Sequence, residues 1–203
     1  MNRYLMLDVL LGVALLGGGC GSNASPTGSS SVPTTPPSSS QGGTQNVSAS
    51  PPDAAIQGVT VVTFTVTQAS GLSYTWDFGD GGSATGSLVT HVFNNPGQFT
   101  VALKASDGTS GQTAMTVKSL SGSWADVESP GQFQWTLVQS GFALTGTDTT
   151  DGASLQGAVS SPRTVSVRDG GVALLGRVEK GLDGMALTYT TPAGPKEIRL
   201  IRQ

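Results

Sequence analysis

Trp76-Asp77-Phe78-Gly79-Asp80-Gly81 is the stretch of this 203-residue chain that decides its fold. Large apolar side chains alternate with polar positions up to the first glycine, and this two-residue period predicts a β-strand with one buried face. The glycines then predict a tight turn, in which short Asp side chains can accept hydrogen bonds from backbone N–H groups. We therefore expect Trp76 and Phe78 to lie in a core, and Asp77 and Asp80 to shape the turn or, alternatively, to bind a ligand.

Apolar residues with the same period recur on both sides of this turn, and clusters of Gly, Asn and Ser separate them. Runs of this kind predict antiparallel strands that each present one face to a core, as in a β-sandwich. The three predicted strands carry Val62, Phe64 and Val66; Tyr74, Trp76 and Phe78; and Phe99, Val101, Leu103 and Ala105.

The turn and the residues that follow it resemble the PKD (polycystic kidney disease) domain family. That family has a Trp-Asp-Phe-Gly-Asp-Gly turn, a Thr-His-x-Tyr strand, a Pro-Gly turn and a Tyr-x-Val-x-Leu strand. Here the later elements are Thr90-His91-Val92-Phe93 and Pro96-Gly97-Gln98-Phe99-Thr100-Val101-Ala102-Leu103, with Phe at both Tyr positions. The resemblance implies an immunoglobulin-like sandwich in an extracellular bacterial protein, with no catalysis by this module. It also implies that His91, the only histidine of the chain, is a structural strand residue.

Calcium is an alternative ligand for the turn, since carboxylate oxygens suit this hard cation. Six or more oxygen ligands are needed, and the segment supplies Asp77 and Asp80 plus Asp107 at a distance that the sequence does not fix. We therefore expect the two turn carboxylates to be structural, and we predict no metal site and no cofactor for the chain.

The segment after residue 119 continues the alternation in shorter units that recur about every ten residues, joined by Asp-Gly and Gly-containing turns. Asp-Gly between alternating runs is a strong hairpin signal, and a series of hairpins predicts an up-and-down meander or a small closed barrel. The seven predicted strands carry Phe133, Trp135 and Leu137; Phe142 and Leu144; Leu155, Gly157 and Val159; Val165 and Val167; Val172 and Leu174; Met185, Leu187 and Tyr189; and Ile198 and Leu200.

Gly122-Ser123-Trp124 and the stretch from Gln139 to Thr147 resemble the start of lipocalin-like and avidin-like barrels. If a barrel forms, its interior can be a solid core or can hold a small apolar ligand; with about 80 residues we expect the solid core. Trp124 and Trp135 are accordingly predicted to fill the core, with ligand stacking as the alternative role.

The N-terminus predicts export and lipid anchoring. Val9 to Leu16 carries no charge and is too short to span a membrane, which needs about 20 apolar residues, so it is typical of a signal peptide. Leu-Leu-Gly-Gly-Gly-Cys resembles a bacterial lipobox, although Gly17 occupies the position where that motif usually has Leu. The resemblance implies that Cys20, the only cysteine of the chain, carries acyl chains.

The sequence after Cys20 divides into a tether and two β segments. Residues 21–52 are rich in Ser, Thr, Pro and Gly and carry no charge, so we predict a disordered linker. Residues 53–119 are predicted to form the PKD-like sandwich, and residues 120–203 the meander or barrel. Gly21 stands directly after Cys20, at the position where some lipoproteins carry an Asp that retains them at the inner membrane. The absence of Asp there favours the outer membrane.

Charge and motifs limit the function. A net charge of −3 and the lack of a basic stripe exclude nucleic acid as the expected partner. The sequence contains no GxSxG, P-loop, CxxC or HExxH motif, so we predict that the protein is not an enzyme. We expect a lipid-anchored envelope protein that binds a glycan, another envelope protein or a small ligand. The alternatives are a structural spacer and a hydrolase that uses carboxylates such as Asp126 and Glu128.

Overall fold

The computed structural model of the protein describes residues 43–67, 71–160 and 162–203. These residues form sixteen β-strands and no helix, which confirms the predicted all-β class. Within the described part of the chain, therefore, no helix is long and apolar enough to cross a membrane. The predicted signal peptide, Cys20 and most of the predicted linker lie outside the described residues.

The first eight strands form two sheets that face each other. A three-stranded antiparallel sheet has the order β1-β3-β6, and a five-stranded sheet has the order β2-β8-β7-β4-β5, in which only β2 and β8 run parallel. Their bounds are β1 Val47–Ser50, β2 Ala55–Ile56, β3 Val62–Val66, β4 Tyr74–Asp77, β5 Ser83–Thr85, β6 Leu88–His91, β7 Gly97–Ala105 and β8 Ser110–Lys118.

The core between the two sheets follows the predicted alternation. Phe64 and Trp76 are fully buried, and Phe78 and Phe93 are 1% exposed. These rings pack against one another, with the centroids of Phe64 and Trp76 at 5.9 Å and those of Phe64 and Phe78 at 5.5 Å. Burial of aromatic side chains of this size is a dominant favourable contribution to the stability of a small sandwich.

The remaining strands close into an eight-stranded antiparallel barrel, in which each strand pairs with the next along the chain and β9 pairs with β16. This is the closed form of the two alternatives that the sequence left open. The bounds are β9 Gly122–Asp126, β10 Gln134–Ser140, β11 Ala143–Asp148, β12 Ser154–Ser160, β13 Thr164–Asp169, β14 Val172–Val178, β15 Gly184–Thr191 and β16 Gly194–Arg202.

Large side chains and three glycines occupy the inward positions of the barrel. Trp124, Trp135 and the inward Leu, Val and Met side chains are buried, so the interior is a packed core. Gly146, Gly157 and Gly176 lie at inward positions of β11, β12 and β14, where a Cβ atom would overlap a backbone carbonyl of the neighbouring strand. Glycine at these sites lets adjacent backbones approach closely where a small barrel must bend.

One end of the barrel is closed by residues from earlier in the chain, and we call it the junction end. Ile56, Val59 and Leu120 belong to the same buried cluster as the barrel core. Gln139, near the end of β10, donates from Nε2 to the carbonyl of Gln57 at 2.9 Å. The division at residues 119 and 120 stays a prediction, but the barrel core includes apolar side chains from both sides of it.

The structure corrects three sequence expectations. The predicted linker reached residue 52, whereas Val47–Ser50 is a strand that pairs with β3. The C-terminal segment has eight strands instead of seven, because β9 places Asp126, rather than an apolar residue, at the inward position after Trp124 and so hides the alternation. Phe142, predicted to lie on a buried strand face, lies instead in the turn before β11 and is 57% exposed.

Candidate functional site

The Trp76–Gly81 stretch forms the predicted turn, and both of its carboxylates bond the backbone. Asp77 Oδ1 accepts a hydrogen bond from Gly79 N at 2.9 Å, and Asp80 Oδ1 accepts one from Gly82 N at 3.0 Å. Gly79 has φ of +78° and its Cβ position would meet the Thr100 carbonyl oxygen at 2.7 Å, so this position requires glycine. Turn formation therefore accounts for both carboxylates.

His91 completes this turn from the neighbouring sheet. Its ring stacks on Phe78 with centroids 4.0 Å apart, and its Nε2 lies 2.7 Å from Asp80 Oδ2. Partial burial acts to raise the pKa of Asp80, but the hydrogen bonds from His91 and Gly82 N outweigh it and hold the pKa below its usual value. This position fits the structural role predicted for His91.

The register separates Asp107 from the turn. Tyr74 pairs with Ala105 and Asp77 with Ala102, so Asp107 follows the far end of the β4–β7 pair. The Asp107 carboxylate accepts hydrogen bonds from Thr109 instead. A calcium site that combines all three carboxylates is therefore not formed.

The outer side of the five-stranded sheet carries exposed polar residues around the half-buried Ala102, and we call Thr75, Asp77, Ala102, Lys104 and Gln112 the polar face. Thr75 pairs with Lys104, Asp77 with Ala102, and Ala102 with Gln112, so these side chains lie side by side. Two depressions adjoin each other here and share Ala102 and Lys104. One has a volume of about 390 Å³ on the Asp77 side, and the other about 500 Å³ on the Gln112 side.

A group of carboxylates occupies the end of the barrel opposite the junction end, and we call Asp148, Asp151 and Asp169 the acidic end. One oxygen atom from each carboxylate lies within 4.8 Å of the others. The indole Nε1 of Trp135 donates to Asp148 Oδ2 at 3.2 Å and to Asp169 Oδ2 at 3.0 Å. Asp148 and Asp169 are buried, and Asp151 is exposed.

The two buried carboxylates of the acidic end have opposite pKa shifts. Burial, together with the hydrogen bond and the negative charge of Asp148, raises the pKa of Asp169 to about 6. Burial also acts to raise the pKa of Asp148, but hydrogen bonds from the Thr150 hydroxyl and backbone N–H outweigh it and lower the pKa. Within the described ranges, the basic side chains form ion pairs with Asp80, Asp183 and Glu179. None of them pairs with a carboxylate of the acidic end.

Asp126 lies inside the barrel near the same end. Asp126 occupies the inward position that follows Trp124 on β9. Trp124 pairs with Trp135 on β10, and Trp135 pairs with Asp148 on β11. Asp126 is 3% exposed and its Oδ1 accepts a hydrogen bond from Glu128 N at 3.0 Å. Its Oδ2 is buried and meets no hydrogen-bond partner among the described residues. This burial does not fit the alternative in which Asp126 acts on a polysaccharide.

The sequence predicts Trp135 as a core residue, but it does not identify the two carboxylates that accept hydrogen bonds from its indole N–H. Asp169 belongs to one of the predicted Asp-Gly hairpin turns, where Asp is common for reasons of turn geometry, and Asp148 lies three residues before another, Asp151-Gly152. Their spacing from inward residues was the available signal, since each follows an inward residue by two positions: Gly146 and Val167. Trp124 sits apart from this group, with its Nε1 donating to the Leu120 carbonyl and the Arg202 guanidinium 4.7 Å above its ring.

Comparison with known proteins identifies the first of the two β units. Residues 45–120 match the model of the PKD domain family. A solved structure reported for carbohydrate-binding modules of the β-sandwich superfamily with promiscuous specificity is similar at 17% identity and a TM-score of 0.35, covering 80% of this chain and 85% of that one. Among curated proteins, none matches the sequence. The sandwich, its Trp76–Gly81 turn and the family match agree, and residues 45–120 are therefore a PKD domain with an immunoglobulin-like fold.

Proposed function

We propose that the protein is a non-catalytic binding protein of the bacterial cell envelope, anchored through Cys20, and that it binds a neutral glycan on the polar face. The observation that carries the glycan proposal is the pair of adjoining depressions on the exposed side of the five-stranded sheet, which meet at Ala102 and Lys104. Their volumes lie within the range of about 300–1,000 Å³ that is usual for ligand sites.

The chemistry of the polar face suits a ligand with many hydroxyl groups. Asp77 supplies a carboxylate acceptor, Lys104 an ammonium donor, and Gln112 and Thr75 groups that both donate and accept. Asp77 uses one oxygen for Gly79 N, and a carboxylate has about four acceptor positions, so it can still bind a hydroxyl. One positive and one negative side chain leave the face without a net charge, which favours a neutral polymer over an anionic one.

The size of Ala102 explains why the ligand would be extended. A small side chain at the centre of the face leaves the two depressions continuous, so a chain of sugar units could follow the row Gln112–Ala102–Asp77–Ser83 across the strands. Contacts of this kind are individually weak, about 0.5–1.5 kcal/mol for each hydrogen bond. Many copies on one membrane would raise the effective affinity for a polymer through multivalency.

A glycan array probed with the full chain tests the ligand. We expect binding to a neutral polysaccharide, and we expect Lys104→Ala and Gln112→Ala each to weaken it about three- to tenfold, since each removes one or two hydrogen bonds. Lys196→Ala, an exposed lysine on the barrel, is the matched control and should bind as the wild type does. Absence of binding across the array, or equal binding by all variants, would contradict the proposal and favour the spacer.

The anchor is tested separately in the producing bacterium. The mature N-terminus should be an acylated Cys20 by mass spectrometry, and the protein should fractionate with the outer membrane. Cys20→Ser should release it from the membrane fraction. Recovery of a free thiol at residue 20 in the membrane-bound wild type would overturn lipid anchoring without affecting the glycan result.

A further inference from the structure

We propose that the connection between the sandwich and the barrel is a locked joint rather than a hinge, and that Arg202 is the residue that locks it. The connection is Ser119–Ser121, between β8 and β9, and we call it the joint. Relative motion is the default expectation for two units joined by a short polar segment. Here side chains of the barrel bind the joint along its whole length, and this does not depend on what the polar face binds.

Arg202 holds both ends of the joint. Its Nη1 donates to the Ser121 carbonyl at 2.7 Å, and its Nη2 donates to the Ser119 carbonyl at 2.5 Å. The planar guanidinium presents its donors in a fixed fork, and hydrogen bonds from a charged donor are about twice as strong as neutral ones. The guanidinium also lies 4.7 Å from the centroid of the Trp124 ring, so the barrel core fixes its position. One side chain therefore prevents the two ends of the joint from moving independently.

Gln139 holds the centre of the joint. Its Oε1 accepts a hydrogen bond from Leu120 N at 2.7 Å, and its Nε2 donates to the carbonyls of Gln57 and Gly141, each at 2.9 Å. The carbonyl of Leu120 accepts a hydrogen bond from Trp124 Nε1 at 3.0 Å. Leu120 is fully buried and Gln139 is 7% exposed. Rotation at the joint would leave these buried polar groups without partners, which folded proteins rarely tolerate.

Asp183 connects the sandwich to the same side of the barrel. It lies between β14 and β15, with Oδ2 at 2.5 Å from Lys118 Nζ and Oδ1 at 3.6 Å from Arg202 Nε. This Nε is buried and has no hydrogen-bond partner among the described residues. The Asp183 side chain is 58% exposed, so salt screens its ion pairs and their contribution is small. We therefore expect the hydrogen bonds of Arg202 and Gln139 to keep the joint locked at high ionic strength.

The lock depends on closure of the barrel. Arg202 belongs to β16 and pairs with Trp124 where β16 meets β9, so it reaches the joint only when these two strands are paired. Once closed, the sandwich and the barrel should move as one body, with the polar face in a fixed orientation to the barrel.

Trypsin tests the lock, because the bond after Lys118 lies at the start of the joint and is cleaved only when the backbone opens locally. In the full chain, Arg202→Ala should raise the rate of cleavage after Lys118 about tenfold, since it removes two charge-assisted hydrogen bonds. Arg202→Lys should raise it similarly, because an ammonium cannot reproduce the fork. Arg199→Ala, which removes an exposed arginine paired with Glu179 on the barrel, is the matched control and should be cleaved as the wild type is.

Two further measurements separate the joint from the barrel as a whole. Cleavage after Arg168, within β13, reports opening of the barrel and should change little in Arg202→Ala. An equal rise after Lys118 and after Arg168 would overturn the proposal, as would an unchanged rate after Lys118. Loss of the wild-type protection in high salt would show that the exposed ion pairs hold the joint instead. In NMR relaxation of the wild type, the backbone amides of the sandwich and the barrel should report one rotational correlation time, and two distinct times would refute a locked joint without any substitution.

Discussion

Replacing Gly176 by alanine would place a methyl group between strands β14 and β15 of the barrel. The added Cβ would overlap the Ala186 carbonyl oxygen and would lie 2.8 Å from Leu187 Cα. Both neighbours are backbone atoms of the paired strand, so no side-chain rotation can relieve the overlap. The two strands must move apart, and the hydrogen bonds around the Gly176–Leu187 pair must lengthen.

The expected cost follows from these contacts. Overpacking of a closely packed site costs about 1–3 kcal/mol, and each weakened ladder hydrogen bond about 1 kcal/mol. Alanine recovers about 0.5–1 kcal/mol relative to glycine through backbone entropy. We therefore expect the free energy of unfolding to fall by about 2–4 kcal/mol, with a decrease in melting temperature of about 5–15 °C for a domain of this size.

Urea denaturation followed by circular dichroism measures the loss, and Gly171→Ala is the matched control. Gly171 lies in the turn between β13 and β14, has no positive φ, and its Cβ position meets no atom of the described residues within 4 Å. This substitution should be neutral or should stabilise the protein by about 0.4–1 kcal/mol. If Gly176→Ala unfolds within 1 kcal/mol of the Gly171→Ala control, the close approach of the strands is not what requires glycine.

Three further predictions concern the carboxylates and the junction end. Because the pKa of Asp169 is about 6 in the folded protein and 3.8 in its reference state, the free energy of unfolding should fall by roughly 1–3 kcal/mol as the pH rises from 4 to 6. Asp169→Asn should remove this decline in a pH series of urea titrations, and an unchanged slope would refute the assignment. The pKa of Asp80 is lowered, so its contribution to the free energy of unfolding is present above pH 4 and is lost as the pH falls. Asp80→Asn should therefore lower the free energy of unfolding by about 0.5–1.5 kcal/mol at pH 7 and by little at pH 3. Ile56→Ala, at the junction end, should lower the free energy of unfolding by about 2–5 kcal/mol and lower the unfolding midpoint of the barrel. A single-tryptophan variant that retains Trp135 reports this midpoint by fluorescence. A midpoint that stays at the wild-type value would show that the barrel does not depend on this side chain.

The sandwich core could be predicted because its strands use aromatic and branched side chains at alternate positions. Trp76 and Phe78 occupy the buried positions that their spacing indicated, and the two carboxylates beside them bond the turn backbone. The edge strand β1 escaped prediction, since Val47–Ser50 is short and polar, and its burial alternates only between half-buried and exposed. Pairing with β3 orders it, and pairing over long sequence distances is not visible in a local pattern.

The acidic end could not be predicted for a different physical reason. Asp148 and Asp169 each stand beside a turn, where a carboxylate is usually explained by local backbone hydrogen bonds. Whether such a side chain points inward depends on the register of the whole barrel, and that register is fixed by strands from Gly122 to Arg202. The inward position of Trp135 was predicted, but the two acceptors of its N–H come from strands that lie 13 and 34 residues further along.

The junction end has a consequence for the order in which the chain is completed during synthesis. Ile56 and Val59 leave the ribosome before any barrel strand exists, yet they belong to the barrel core. The barrel closes only when β16 pairs with β9, and β16 follows all the other barrel strands in the sequence. These early apolar side chains must therefore wait for their final partners until β16 has been synthesised, and a truncated product that lacks β16 would expose them to chaperones and proteases.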